Sequence, residues 1–107
     1  MTSTPRLAPI ALTMGEPAGI GGEITRAAWL RRNGDDIPPF LLIDDPDRLR
    51  ALDDALGGGV PIVEITSPDE ANAVFADAIP VLRQSLPVQV NPGQPDPANT
   101  NAVLASI

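Results

Sequence analysis

Asp45-Pro46, Ser67-Pro68 and Asp96-Pro97 each set a capping side chain directly before a proline, and the first two follow short apolar runs, PFLLI (39–43) and VPIVEI (60–65). An Asp or Ser oxygen accepts from the free N–H groups of a first helical turn, and proline at the first helical position gives up an N–H that has no helical partner there. Strand followed by helix start, repeated along a chain, argues for an α/β fold: a parallel or mostly parallel sheet with flanking helices.

The remaining elements fit that alternation. Ile10 to Thr13, IALT, is expected to be a buried strand, and PFLLI, apolar without alternation, a strand covered on both faces. IPVLR (79–83) is a fourth candidate strand. From Gly21 to Arg32 a helix is expected, with Ile20, Ile24, Ala27 and Ala28 on its inner face and Leu30 on the flank. Trp29 then lies about 180° from Ile20 at 3.6 residues per turn. It packs either on a further part of the protein or a second subunit, or partly exposed on its own domain. The helix after Asp45 carries Leu49, Leu52 and Leu56 on one stripe and ends in Gly57, Gly58 and Gly59. Ser67, Pro68 and Glu70 form a capping box. SLPVQVNPGQP (85–95) reads as an extended connection, and a last helix starts at Asp96. That helix signal is still running at Ile107, so residues 1–107 are expected to be the N-terminal segment of a longer protein, with a second domain elsewhere.

Composition removes whole classes of chemistry. The 107 residues contain no histidine and no cysteine, and the 7 cations, all arginine, face 14 carboxylates for a net charge of −7. The commonest general base and neutral metal ligand are therefore missing, as are thiolate sites and any lysine Schiff base or P-loop lysine. So acidic a surface, without a basic tract, argues against nucleic acid and anionic membranes as partners. The start, MTSTPRLAPIALT, is too short in its apolar run for a signal peptide core or a membrane span. A cytoplasmic protein is the expectation.

The chemistry-bearing candidate is TMGEPAGIGGEI (13–24), in which Gly15, Gly19, Gly21 and Gly22 lie between a strand and a helix. Glycines let a ligand approach backbone closely, and N–H groups at a helix start attract anions. The spacing is not the dinucleotide fingerprint, since the sixth residue from Gly19 is Ile24, and no P-loop lysine follows. A plain strand–helix turn and a ligand-lining loop both remain open. Glu16 would repel a phosphate, accept from a hydroxyl or amine, or cap nearby N–H groups. Asp44, Asp45 and Asp47 suit a helix start, where negative charge is favourable, better than a hard-metal site. Asp53 and Asp54 are expected on the outer face within reach of Arg50, and Arg26, Arg31 and Arg32 on a solvated face near Asp35 and Asp36.

ALTMGEPAGIGGEI (11–24) resembles the opening of the 4-hydroxythreonine-4-phosphate dehydrogenase family, which runs strand, T-x-G-[DE]-P-A-G-I-G-P-E-[IV], helix. Thr13, Gly15, Glu16, Pro17, Ala18, Gly19, Ile20, Gly21, Glu23 and Ile24 fit, while Gly22 stands where proline is usual. LLIDDPDRLRALDDALG (41–57) and PGQPDPANTNAVLASI (92–107) are similar to later family segments. A weaker likeness runs to isopropylmalate and isocitrate dehydrogenases. The resemblance implies the N-terminal part of a related two-domain fold and a homodimer. It also implies NAD, a divalent metal (Zn, Mg or Co) and a small phosphorylated amino-acid substrate. Relatives acting on threonate or erythronate phosphates remain open, as does a stand-alone, non-catalytic module that binds a small anion or nucleotide. The family's metal ligands are histidines, so neither metal nor catalytic residues transfer onto this chain. Gly15, Glu16, Gly19 and Gly21 transfer as a cleft-lining, cofactor-facing loop.

Overall fold

A computed structural model describes residues 9–15, 19–87 and 93–107. Among them a sheet forms in the order β1-β2-β4-β3 from β1 (Ile10–Thr13), β2 (Phe40–Asp44), β3 (Ile62–Ile65) and β4 (Ile79–Arg83). Every pairing is parallel, with Ile10 beside Phe40, Leu42 beside Val81 and Ile65 beside Leu82. The helices α1 (Gly21–Leu30), α2 (Pro46–Ala55) and α3 (Ala71–Phe75) connect successive strands, and α4 (Thr100–Ser106) follows.

Side chains alternate across a strand, so β2 feeds both faces. Phe40 and Leu42 point to one side with Val81, Trp29 of α1 and Leu49 of α2. Leu41 points to the other with Ile65 and Ala71 of α3, flanked by Ile43, Val74 and Leu82. This is the two-sided burial that an unbroken apolar run announces. Asp45 caps α2 by accepting from the N–H groups of Asp47 and Arg48, with Pro46 behind it. Ser67 and Glu70 form the capping box, which opens a short 3-10 turn (Pro68–Glu70) ahead of α3. Asp96 accepts from Ala98 N–H before α4. The expected connection at 85–95 lies partly outside the described residues.

Several expectations are corrected. β1 is not a buried strand: Ile10, Ala11 and Thr13 are exposed and Leu12 is half-buried. It is an outer strand, bonded to β2 on one side, and α3 packs on β2 and β4 rather than on it. The inner face of α1 is also not the Ile20–Ile24 stripe, since both residues are exposed. Gly22, Arg26 and Trp29, spaced i, i+4, i+7, turn inward instead: Gly22 and Trp29 are buried and Arg26 is largely so. On α2 the buried residues are Pro46, Leu49 and Asp53, while Leu56 is exposed. Asp53 therefore leaves the expected outer face. It accepts from Arg26 Nε at 2.7 Å and from Val60 N–H, and Arg26 also donates to the Gly58 carbonyl. Arg50 pairs with Asp47, not with Asp53 or Asp54. Arg32 lies 3.6 Å over the Trp29 ring and donates to the Ala76 carbonyl, so of the helix-face arginines it is Arg31 that sits on the surface, with Asp35. Periodicity misled here because glycine and charged residues occupy the inner positions of two helices that face each other.

Candidate functional site

Parallel strands leave their carboxyl ends at one edge of the sheet, where the chain turns back into helices and opens room for a ligand. A hollow of about 330 Å³ lies there, at the ends of β1 and β2. β1 and its continuation bring Leu12, Thr13, Met14 and Gly15 to it, and the first turns of α1 bring Gly21, Gly22, Ile24 and Thr25. Leu42 and Asp44 close it from β2.

The glycines have separate physical reasons. Gly15 holds φ +61°, the left-handed region that a Cβ disfavours, and turns the chain out of β1 beside the buried Met14. Gly21 opens α1 close against the strand end; a Cβ there meets the Met14 carbonyl at 3.7 Å, an ordinary contact. Gly22 is a close approach between helices, since a Cβ would fall 2.8 Å from Leu52 Cδ2 and 3.3 Å from the Arg48 guanidinium. Gly19 is exposed, and Glu16 lies outside the described residues. Of the loop positions singled out in the sequence, Gly15 and Gly21 thus meet at the hollow. Ile20 stands at the N-cap of α1 and has no side-chain oxygen for the first turn. Thr25 turns its hydroxyl back onto the Gly21 carbonyl at 2.9 Å.

Among the described residues, Asp44 is the charged side chain on the wall, and it is buried. Its Oδ1 accepts from Asp45 N–H and from Arg48 Nε, and its Oδ2 from the other arm of the same guanidinium at 2.5 Å. Burial pushes the Asp44 carboxyl above the ordinary Asp value, and the hydrogen bonds and charge of Arg48 oppose that rise without cancelling it. The sequence reading missed this residue. It treated Asp44 as helix-start charge, whereas Asp45 alone caps and Asp44, at the end of β2, turns to the hollow. The usable signal was the i, i+4 spacing of Asp44 and Arg48 across a strand–helix junction.

Among the described residues a metal finds no ligand set here. The chain lacks histidine and cysteine, and among the described residues no group of three or more carboxylates gathers to hold an ion. No described helix is long and apolar enough to cross a membrane.

No family model matches the chain. Individual proteins do. It is 48% identical over 101 residues to a 4-hydroxythreonine-4-phosphate dehydrogenase of Methylorubrum populi, covering 92% of this chain and 29% of that protein. It is 41% identical over 100 residues to the Xanthobacter autotrophicus protein of the same name, covering 94% and 28%. The crystal structure of a 4-hydroxythreonine-4-phosphate dehydrogenase from Burkholderia phymatum superimposes with a TM-score of 0.79 at 25% identity, covering 94% of this chain and 31% of that one. The chain thus spans about three tenths of the length of the relatives it matches. The GEPAGIG loop, the parallel sheet and these identities agree, and the chain belongs, over the stretch it spans, to the 4-hydroxythreonine-4-phosphate dehydrogenase family.

Proposed function

We propose that this chain is the N-terminal segment of a dehydrogenase that uses NAD and a divalent metal. In this reading the whole protein converts 4-phosphooxy-threonine to 3-amino-2-oxopropyl phosphate and carbon dioxide, in the synthesis of pyridoxal phosphate. The observation that carries the reading is the 48% identity over 101 residues to a protein of that name. The whole enzyme is proposed to be a cytoplasmic homodimer with the two-domain architecture of the isopropylmalate dehydrogenases.

The chemistry of oxidation and decarboxylation falls outside this chain in that reading, since it has no histidine or lysine and its described residues gather no metal ligand set. Their role is to form a wall. At about 330 Å³ the hollow is at the small end of ligand sites, which suits contact with one part of a ligand. Glycine backbone lets that part come close, and the start of α1, where Ile20 offers no capping side chain, carries N–H groups near it. Gly15, Glu16, Gly19 and Gly21 are proposed to border the cofactor or substrate.

The test is NADH formation by the family-length protein supplied with 4-phosphooxy-threonine and Mg, Zn or Co in turn. Turnover is expected there, and none from residues 1–107 alone. Turnover with threonate or erythronate phosphates instead would move the protein to a sister activity. Turnover by the isolated chain, or by neither protein, would overturn the reading.

A further inference from the structure

We infer that Asp44 and Arg48 are a positioning pair that sets the start of α1, and with it the glycine wall of the hollow. The inference rests on the reading of that hollow as a ligand wall.

The argument follows contacts from α2 to β1. Arg48 has a side chain 11% exposed and grips both oxygens of Asp44. Its guanidinium lies against Gly22, within 3.3 Å of where a Cβ would stand, and Leu52 of the same helix lies closer still. Gly22 is therefore seated on α2. Gly21, next to it, rests against the Met14 carbonyl, and Met14 leads into Gly15 with its positive φ. A shift of the Arg48 fork moves Gly22, then Gly21 and the turn at Gly15, all of which border the hollow.

Electrostatics explains why a pair is needed. The start of a helix carries partial positive charge, so a lone guanidinium beneath α1 would be repelled. Asp44 neutralises that cation and fixes its plane, because a carboxylate accepts both arms of an arginine fork. Burial nevertheless disfavours the Asp44 charge, so the ionised pair is held at a desolvation cost. A pair retained in this way gives geometry more than stability. Asp45, adjacent on the chain, adds a like charge that also raises the Asp44 value, and Arg83 lies 4.0 Å from Asp45. Asp45 also holds the segment after β4 by accepting from Leu86 N–H, and Gln84 N–H donates to the Asp44 carbonyl.

The comparison that isolates positioning from folding uses a second buried pair, Arg26–Asp53, which joins α1 to α2 one turn beyond Gly22 on α1. In residues 1–107, amide signals and exchange of Gly15, Gly21 and Gly22 are recorded for the unchanged chain, Asp44→Asn, Arg48→Lys and Asp53→Asn. The result expected is that Asp44→Asn and Arg48→Lys shift these amides and raise their exchange about tenfold well below the melting temperature, as loosened local opening does. Asp53→Asn lowers the melting temperature and leaves Gly15 and Gly21 in place. Arg48→Lys keeps the charge but not the fork, so it serves if Asp44→Asn does not fold. Equal disturbance of Gly15 and Gly21 by all three variants, or none by the Asp44 and Arg48 variants, overturns the inference. In the family-length enzyme Arg48→Lys should raise KM about tenfold with a smaller fall in kcat, as misplaced contacts do. Absence of turnover in the unchanged family-length enzyme overturns the assigned activity instead, and the amide comparison still decides the positioning role.

Discussion

Trp29 Nε1 donates to the Phe75 carbonyl across 2.8 Å and so ties the end of α1 to the end of α3, beneath the amino ends of β2 and β4. The Arg32 guanidinium covers the outer face of the ring. Trp29→Phe keeps much of the apolar contact but strands a buried acceptor, and should cost about 1–3 kcal/mol. Trp29→Ala should cost about 3–5 kcal/mol. Denaturant melts read both losses. As the chain has 1 tryptophan, its fluorescence should be blue-shifted when folded and move to the red on melting.

Arg26 and Asp53 test the corrected helix faces. Their side chains are 17% and 9% exposed, and they join α1 to α2 and to the Gly58 turn. Asp53→Ala leaves a guanidinium buried without its counter-charge and should cost about 3–5 kcal/mol. The double change Arg26→Met with Asp53→Leu removes both charges and should recover the part of that loss due to the unpaired guanidinium, though not the part due to Val60 N–H, which still lacks its acceptor. If Asp53→Ala is neutral in urea melts, the outer-face reading of Asp53 returns.

Legibility in the sequence followed the range of each interaction. The caps at Asp45, Ser67 and Asp96 are local and were readable from neighbouring residues. PFLLI was readable because burial on both faces leaves an unbroken apolar run. β1 was misread because its exposure depends on strand order, which IALT does not encode. The inner faces of α1 and α2 were misread because Arg26 and Asp53 satisfy each other across chain-distant positions. At the site, Gly15 and Gly21 were legible as glycines at a strand–helix junction. Asp44 was not, since a carboxylate beside a cap looks like a second cap until the strand end fixes which way it points.

Ile10 of β1, Ile20 at the N-cap of α1 and Ile24 within α1 are at least half exposed. β1 is also an outer strand whose second edge has no partner strand among those described. Such a surface associates or binds hydrophobic dyes. Purified residues 1–107 should run above monomer mass in light scattering or enhance dye fluorescence. A monodisperse monomer silent to dye would contradict this.

Acid should loosen the start of α3. Glu70 is held below the ordinary carboxylate range mainly by the N–H of Thr66, then by that of Ser67. Because the bonds favour the charged form, their stabilisation is complete above the usual Glu value of 4.5 and is lost as the pH falls through the lower folded value. Asp44 acts with the opposite sign. Its folded value is raised, so protonation between 3.8 and that value favours the fold. Melting temperature against pH should therefore fall less steeply on the acid side for Glu70→Gln than for the unchanged chain. Identical profiles would remove Glu70 from the balance.

Gly21 separates folding from ligand contact more directly than any other position at the hollow. A Cβ there makes an ordinary contact with the Met14 carbonyl, so the backbone tolerates a side chain. Gly21 also lines the hollow, so that side chain takes up ligand space. Gly21→Val in the family-length enzyme should leave stability within about 1 kcal/mol, the scale of helix propensity. Turnover with 4-phosphooxy-threonine and NAD should fall on the order of 100-fold, as for a displaced substrate. Measured side by side, unchanged melting with lost turnover is the result that this account predicts. Full turnover in a folded variant, or folding and turnover lost together, would contradict a ligand against the glycine wall.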